Sequence, residues 1–212
     1  MKSAARDYDV AVIGGGLVGG AIGYGLARRV EHVAVLDEGD VAYRASRGNF
    51  GLLWVQSKGL GMPRYGQWTV KSCELWPAYA KALAADTGID VHLEQPGGLN
   101  VLLSEAEVEA RIGFMRRLLG QPGFPQYEWK LLDRSEVASL VPAIGPKVRG
   151  AIWTALDGHV NPLALLRATH AALARMGADY LVEGTVGRIG HRDGRFEIYT
   201  ATDPAHPVRA RK

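Results

Sequence analysis

The chain has 212 residues, 47% hydrophobic, 22% charged and 8% aromatic, which is material for one ordinary domain or for a domain carrying a smaller insert. Its 25 Lys and Arg against 22 Asp and Glu leave a net charge of +3, with the basic residues scattered rather than gathered, so nucleic acid is not an expected partner. One cysteine, Cys73, excludes an internal disulfide framework and multi-cysteine metal sites, no metal centre is expected, and a reducing compartment is the natural setting.

Tyr8 to Ile13 is a short apolar run ending in glycines, as in a strand buried on both faces of a parallel sheet. Leu17 to Arg29 has apolar residues at helical spacing and arginines in its last turn, and His32 to Leu36 is a second strand. Together they form a βαβ unit with a right-handed crossover. The uncharged stretch Val10 to Ala27 is too rich in glycine for a membrane span, and no secretory leader is read there.

Val41 to Gly61 is glycine-rich and irregular, and Pro63 to Ala85 is a long helix. Strand-like pieces at Val91 to Glu94, Leu99 to Leu103 and Trp129 to Leu132 surround a helix over Ser104 to Leu119, which opens on a capping-box pattern. Asn161-Pro162 supplies an N-cap and an N1 proline for a helix over Leu163 to Met176. Tyr180 to Glu183, Val186 to Ile189 and Phe196 to Thr200 read as strands, with a hairpin turn at Asp193-Gly194. The basic tail from Pro207 reads as a linker without a closing element, so the chain is expected to stop mid-domain. The expected fold class is α/β: a Rossmann-like domain over residues 1–86 and 156–212, interrupted over residues 87–155 by an α+β insert with a mainly antiparallel sheet.

Gly14-Gly15-Gly16-Leu17-Val18-Gly19 matches GxGxxG between a buried strand and a helix, the setting in which the motif is informative. Gly14 permits the tight turn, Gly16 lets the backbone approach a pyrophosphate, and Gly19 lets helix and sheet pack closely. The amides of Leu17 and Val18 at the helix start suit phosphate oxygens. Asp37, about 20 residues on, ends the second strand where a carboxylate would bind a ribose diol and repel a 2′-phosphate. Glu38 beside it is the alternative.

Arg44-Ala45-Ser46-Arg47-Gly48-Asn49-Phe50-Gly51 extends the pattern. A GGGxxG unit followed by this segment resembles the D-amino-acid oxidase-like flavoproteins, nearest the subgroup of hydrogen cyanide synthase C subunit, opine oxidase and hydroxyproline dehydrogenase. The resemblance runs from about Tyr8 to Arg211 and spans about the first half of a family member. It implies FAD as cofactor and an oxidoreductase that breaks the C–N bond of an amino acid or secondary amine by hydride transfer to flavin N5. It implies further that Ala45 and Ser46 hold the pyrophosphate, that Asn49, Gly51 and Leu52 lie along the ribityl chain and isoalloxazine, and that the backbone of Val186 meets the adenine. Turn chemistry is the plainer explanation of Ser46 and Asn49.

Phe50, Trp54 and Gln56 alternate along an extended stretch and are candidates for a flavin-facing wall, with core packing the expected role of Phe50 and Trp54. Arg64 and Tyr65 are candidates to reach substrate, His159 is expected to be structural, and Cys73 is expected to be a buried, inert thiol. No catalytic residue is assigned. The other readings are a flavin-binding fragment or split subunit without turnover of its own, and an NAD-binding Rossmann protein. A small amine or amino acid is the expected substrate, a second subunit a candidate partner, and the cytoplasm, or the inner face of the membrane, the expected location.

Overall fold

The computed structural model describes residues 7–30, 32–39, 45–182 and 185–212. In chain order the first elements are β1 (Asp7–Tyr8), β2 (Val10–Ile13), α1 (Leu17–Ala27), β3 (Val33–Leu36), β4 (Leu52–Leu53) and α2 (Pro63–Thr87). There follow β5 (Gly98–Leu102), α3 (Glu105–Leu119), β6 (Lys130–Asp133), α4 (Arg134–Leu140), β7 (Gly150–Thr154) and β8 (Gly158–His159). The last are α5 (Pro162–Arg175), β9 (Asp179–Leu181), β10 (Val186–Arg192), β11 (Arg195–Thr200) and β12 (Val208–Ala210). The contacts divide the chain into two compact units, one from Met1–Asn49, Ala80–Val91 and Asn161–Lys212, the other from Phe50–Tyr79 and His92–Val160. Residues 50–79 therefore group with the insert, whereas the sequence places them with the first domain.

In the first unit β3 is the middle of a three-stranded parallel sheet, flanked by β2 and β9. All four of its residues, Val33 to Leu36, are buried, which explains an apolar run without alternation. The expected single strand from Tyr8 to Ile13 is divided at Asp9. Its first part, β1, leaves for a second sheet of order β1-β12-β11-β10, and its second part stays beside β3. The expected linker at the C-terminus is likewise corrected, because Val208–Ala210 pairs parallel with β1 and antiparallel with β11. Its alternation explains this: Ala210 packs with Tyr8, Ala34, Leu36 and Ile198, while Arg209 and Arg211 face outward to Glu197 (2.9 Å) and Asp9 (2.8 Å).

The second unit centres on an antiparallel sheet of order β5-β7-β6. Leu102, Met115, Leu118, Phe124 and Ile152 pack α3 against it, and Val137, Val148 and Ala151 pack α4. The sequence reading missed β7 and α4. β7 (GAIWT) is a central strand covered on both faces, so it shows no period of two, and α4 has only seven residues. Conversely, Val91–Glu94 is not a strand; it contributes a single bridge from Glu94 to His159. The full capping box is at Asp133 and Glu136. At the expected one, Ser104 accepts from the Glu107 amide (3.2 Å), but Glu107 reaches back to the amide of Leu103.

α2 continues through Pro77, which lacks the amide that would bond the Cys73 carbonyl. Gln95 Nε2 donates to that carbonyl instead (3.2 Å), so the lost helix bond has a replacement. At the start of α5, Asn161 Oδ1 accepts from the amides of Leu163 (3.1 Å) and Ala164 (3.0 Å). Asn161→Ala is expected to lower stability by about 1 kcal/mol, measured as a shift of the urea midpoint at unchanged slope.

Candidate functional site

A cleft of about 420 Å³ opens in the first unit at the C-terminal ends of the parallel strands. Its floor is the turn from β2 into α1. Gly14 takes φ +98°, a conformation open to glycine, and its amide donates to Leu36 O (2.7 Å). Gly16 stands at the N-cap of α1 with no side chain to satisfy the first amides. The amide of Leu17 donates instead to Ser46 Oγ at 3.0 Å. A Cβ on Gly16 would fall 2.6 Å from that same oxygen, and one on Gly19 would fall within 1.8 Å of Gly14 O. The backbone thus leaves a cradle at a helix start, where amides and dipole favour an anion.

Asp37 closes one side. Its Oδ2 accepts from the Gly15 amide at 2.6 Å and its Oδ1 from the Gly39 amide at 3.0 Å, so the carboxylate is tied to the glycine turn from the end of β3. Ala45, Ser46 and Arg47 form the opposite wall. Asn49 Nδ2 donates to Ser46 O (2.9 Å) and closes the turn that presents Ser46. The Val18 side chain is 76% exposed on α1. Glu38 and Val186 line an adjoining cleft of about 210 Å³ with Ile13, Leu36 and Thr185. Gly51 and Leu52 belong to the second unit, where Gly51 has φ +69° and accepts from the Val160 amide (2.9 Å). Arg44, within the expected motif, and Glu183 and Gly184, before Val186, lie outside the described residues.

His170 and Tyr180 also line the cleft, and the sequence reading named neither as a site residue. His170 Nε2 lies 2.6 Å from Gly15 O and carries the proton of that bond, while its ring lies against Tyr180, tilted by 42° with centroids 4.6 Å apart. The position of Tyr180 in β9, the third parallel strand, was a usable signal, because ligands of such sheets bind beyond the strand ends. His170, in the middle of α5, gave none.

Other candidates of the second unit are placed differently. Phe50 is 87% exposed, which corrects its expected role in the core; no described strand carries it inward. Gln56 is fully buried and bonded to Asp157 Oδ2 (2.9 Å) and Gly98 O (2.9 Å), so it is part of the framework and not of a wall. Trp54 and Tyr65 line a separate cleft, and Arg64 is exposed. His159 pairs through β8 with Leu52 and lies 3.9 Å from Glu94. Cys73 is buried, and burial, followed by the charges of Asp157 and Glu74, pushes its thiol up to about 11. Alkylation of Cys73 by iodoacetamide near neutral pH is expected to run about 100-fold slower than that of a free cysteine.

Parallel strands, a glycine turn at a helix start and a carboxylate at the next strand end define a dinucleotide-binding protein. The profile of the FAD dependent oxidoreductase family (DAO) matches residues 9–210, and the chain belongs to that family. It is 44% identical over 190 residues to a subunit of the opine oxidase of Agrobacterium tumefaciens (strain Ach5), a match that covers 90% of this chain and 51% of that protein. It is 32% identical to glycine oxidase of Geobacillus kaustophilus (strain HTA426), over 81% of this chain and 45% of that one. The crystal structure of glycine oxidase from Geobacillus kaustophilus superposes with a TM-score of 0.83 at 28% identity, over 97% of this chain and 54% of that one. The chain spans about half the length of the curated relatives it matches. Among the described residues no helix is long and apolar enough to cross a membrane.

Proposed function

We propose that this chain is the FAD-binding portion of an oxidoreductase that oxidises the C–N bond of an amino acid or a secondary amine. The observation that carries the reading is the convergence of the Gly14–Gly19 turn, Asp37 and Ser46 on one cleft. FAD, when bound, supplies the acceptor for a hydride leaving the carbon of that bond, so that an imine forms and hydrolyses.

The chain's own residues bind and orient. The Leu17 amide and Ser46 Oγ, now paired with each other, are the groups to turn toward a diphosphate, with Gly16 leaving the space. Asp37 takes the ribose hydroxyls, and Val186 lies along the adenine. Asn49 keeps Ser46 in place. Arg47 adds a positive charge to the diphosphate wall.

A second reading is a flavin-binding subunit that needs a partner for turnover. It is supported by the opine oxidase relatives, each of which is named as one subunit of its enzyme. The single buried cysteine suits the cytoplasm as its location. The visible absorbance of the purified chain, repeated on the filtrate after denaturation, tests the first reading. A flavin spectrum with releasable FAD is expected, and bleaching by an amino acid without air separates turnover from binding alone. Failure to retain or bind added FAD would overturn both readings.

A further inference from the structure

The second unit holds a cleft of its own, of about 480 Å³, a volume suited to a small molecule. Leu53, Trp54, Tyr65 and Trp76 give it apolar and aromatic walls, and Lys58 is the only charged residue among the described residues that line it. The hydroxyls of Thr69 and Ser72 donate to carbonyls of their own helix, at 2.9 and 2.7 Å. Lys58 is a half-buried residue and, among the described residues, its ammonium has no carboxylate within ion-pair distance. A cation so placed, with aromatic faces around it and no acid on the walls, fits an anion with an apolar body.

The loop bearing Lys58 is fixed from behind by groups that have no part in the cleft. Asp157 accepts from the Val55 amide (2.7 Å) and from Gln56 Nε2 (2.9 Å). Arg111 donates to Gln56 O (2.9 Å) and Ser57 Oγ (3.1 Å). Gln121 bonds Gly61 N (2.6 Å) and Gly59 O (3.2 Å) on the other side. Gly59 takes φ +92°, and a Cβ there would fall 2.7 Å from the backbone of Gly66. Asp157 and Gln56 are fully buried, and burying a carboxylate is expensive. Packing alone would be served by apolar residues. This network holds a loop backbone to one geometry, and the loop's charged side chain is turned to the cleft.

We propose that Lys58 is the anchor for the substrate carboxylate. The substrate class is then an amino acid or N-substituted amino acid whose apolar part lies against Trp54, Tyr65 and Trp76, and not an uncharged amine. The assignment rests on the oxidoreductase reading above for the word substrate, but its binding test is independent of flavin.

Phenylacetate and its neutral counterpart phenylacetamide are titrated into the 212-residue chain up to millimolar concentrations, followed by ligand-observed NMR. The expected result is roughly tenfold tighter binding of phenylacetate, the scale of one charge-assisted contact. Lys58→Met removes that preference, Lys58→Arg keeps it, and Trp54→Ala weakens both ligands. No binding of phenylacetate, equal binding of the two, or a preference that survives in Lys58→Met would overturn the assignment. Flavin content is read from the spectrum of each sample. A chain that neither retains nor binds added FAD but still prefers phenylacetate counts against the oxidoreductase reading alone, and a flavin-bearing chain without the preference counts against Lys58 alone.

Discussion

Gly16→Val is expected to weaken FAD binding by at least about 100-fold, or about 2.7 kcal/mol, without unfolding the chain. Its first methyl-bearing carbon would meet Ser46 Oγ at 2.6 Å, and that oxygen already accepts from Leu17, the first residue of α1. Ser46 can rotate away, so the fold survives. The space into which Ser46 and the Leu17 amide would turn toward a diphosphate is then filled by an isopropyl group. Asp37→Ala is expected to act in the same direction by another route, since it releases the Gly15 and Gly39 amides and removes the acceptor for the ribose. Gly25→Ala is the control. A Cβ at Gly25 meets nothing within 4 Å, and alanine inside a helix adds about 1 kcal/mol, so this variant should bind FAD unchanged and melt slightly higher. The measurement is quenching of FAD fluorescence on titration, with circular dichroism to verify the fold. Unchanged affinity in both Gly16→Val and Asp37→Ala would place the cofactor elsewhere.

The legible part of this cleft was the part written in consecutive residues. Gly14, Gly16 and Gly19 act through their own backbone, and Asp37 follows by a count along one βαβ unit, so spacing alone brings them together. Ser46 depended on resemblance, since nothing local separates it from an ordinary turn serine. His170 and Tyr180 enter from α5 and β9, more than a hundred residues along the chain, and only the sheet order β2-β3-β9 brings them to Gly15. The same contrast holds for the fold. β3 announced itself as a fully buried run, whereas β7, equally apolar, had no glycine turn and helix beside it to identify it as a strand. β1 and β2 read as one strand because hydropathy does not record that Asp9 hands the chain from one sheet to another. Gln56 looked like a site residue because it alternates with Phe50 and Trp54 along an extended stretch, and its partner Asp157 lies a hundred residues away.

That partner gives the other large expected effect. Asp157→Leu is expected to destabilise the protein by about 3 kcal/mol at neutral pH, because it leaves the Val55 amide without its acceptor, takes one of two acceptors from Gln56 Nε2 and removes a negative charge near Arg111. The pH dependence carries a sign that packing loss would not show. Burial raises the Asp157 carboxyl above its ordinary value, against the opposing pull of Val55, Gln56 and Arg111. The folded state therefore holds this proton more tightly than the unfolded chain. Its stabilising contribution is fully present below the ordinary carboxyl value of about 3.9 and is lost as pH rises through the folded value. Asp157→Asn does not titrate there. The stability of the native sequence relative to Asp157→Asn should thus be highest near pH 4 and fall toward neutrality, as measured by urea unfolding across that range. The Asn variant still offers Val55 an oxygen but turns an amide toward Gln56 Nε2, so its neutral-pH loss should be smaller than that of Leu and not zero. Cys73 supplies an independent readout: the Asp157 charge is the second cause of its raised thiol, so alkylation in Asp157→Asn should accelerate at a given pH. A difference between the native and Asn proteins that is flat with pH would mean that the fold holds the Asp157 proton no more tightly than the unfolded chain does, and an unchanged Cys73 rate would mean that the Asp157 charge does not reach the thiol.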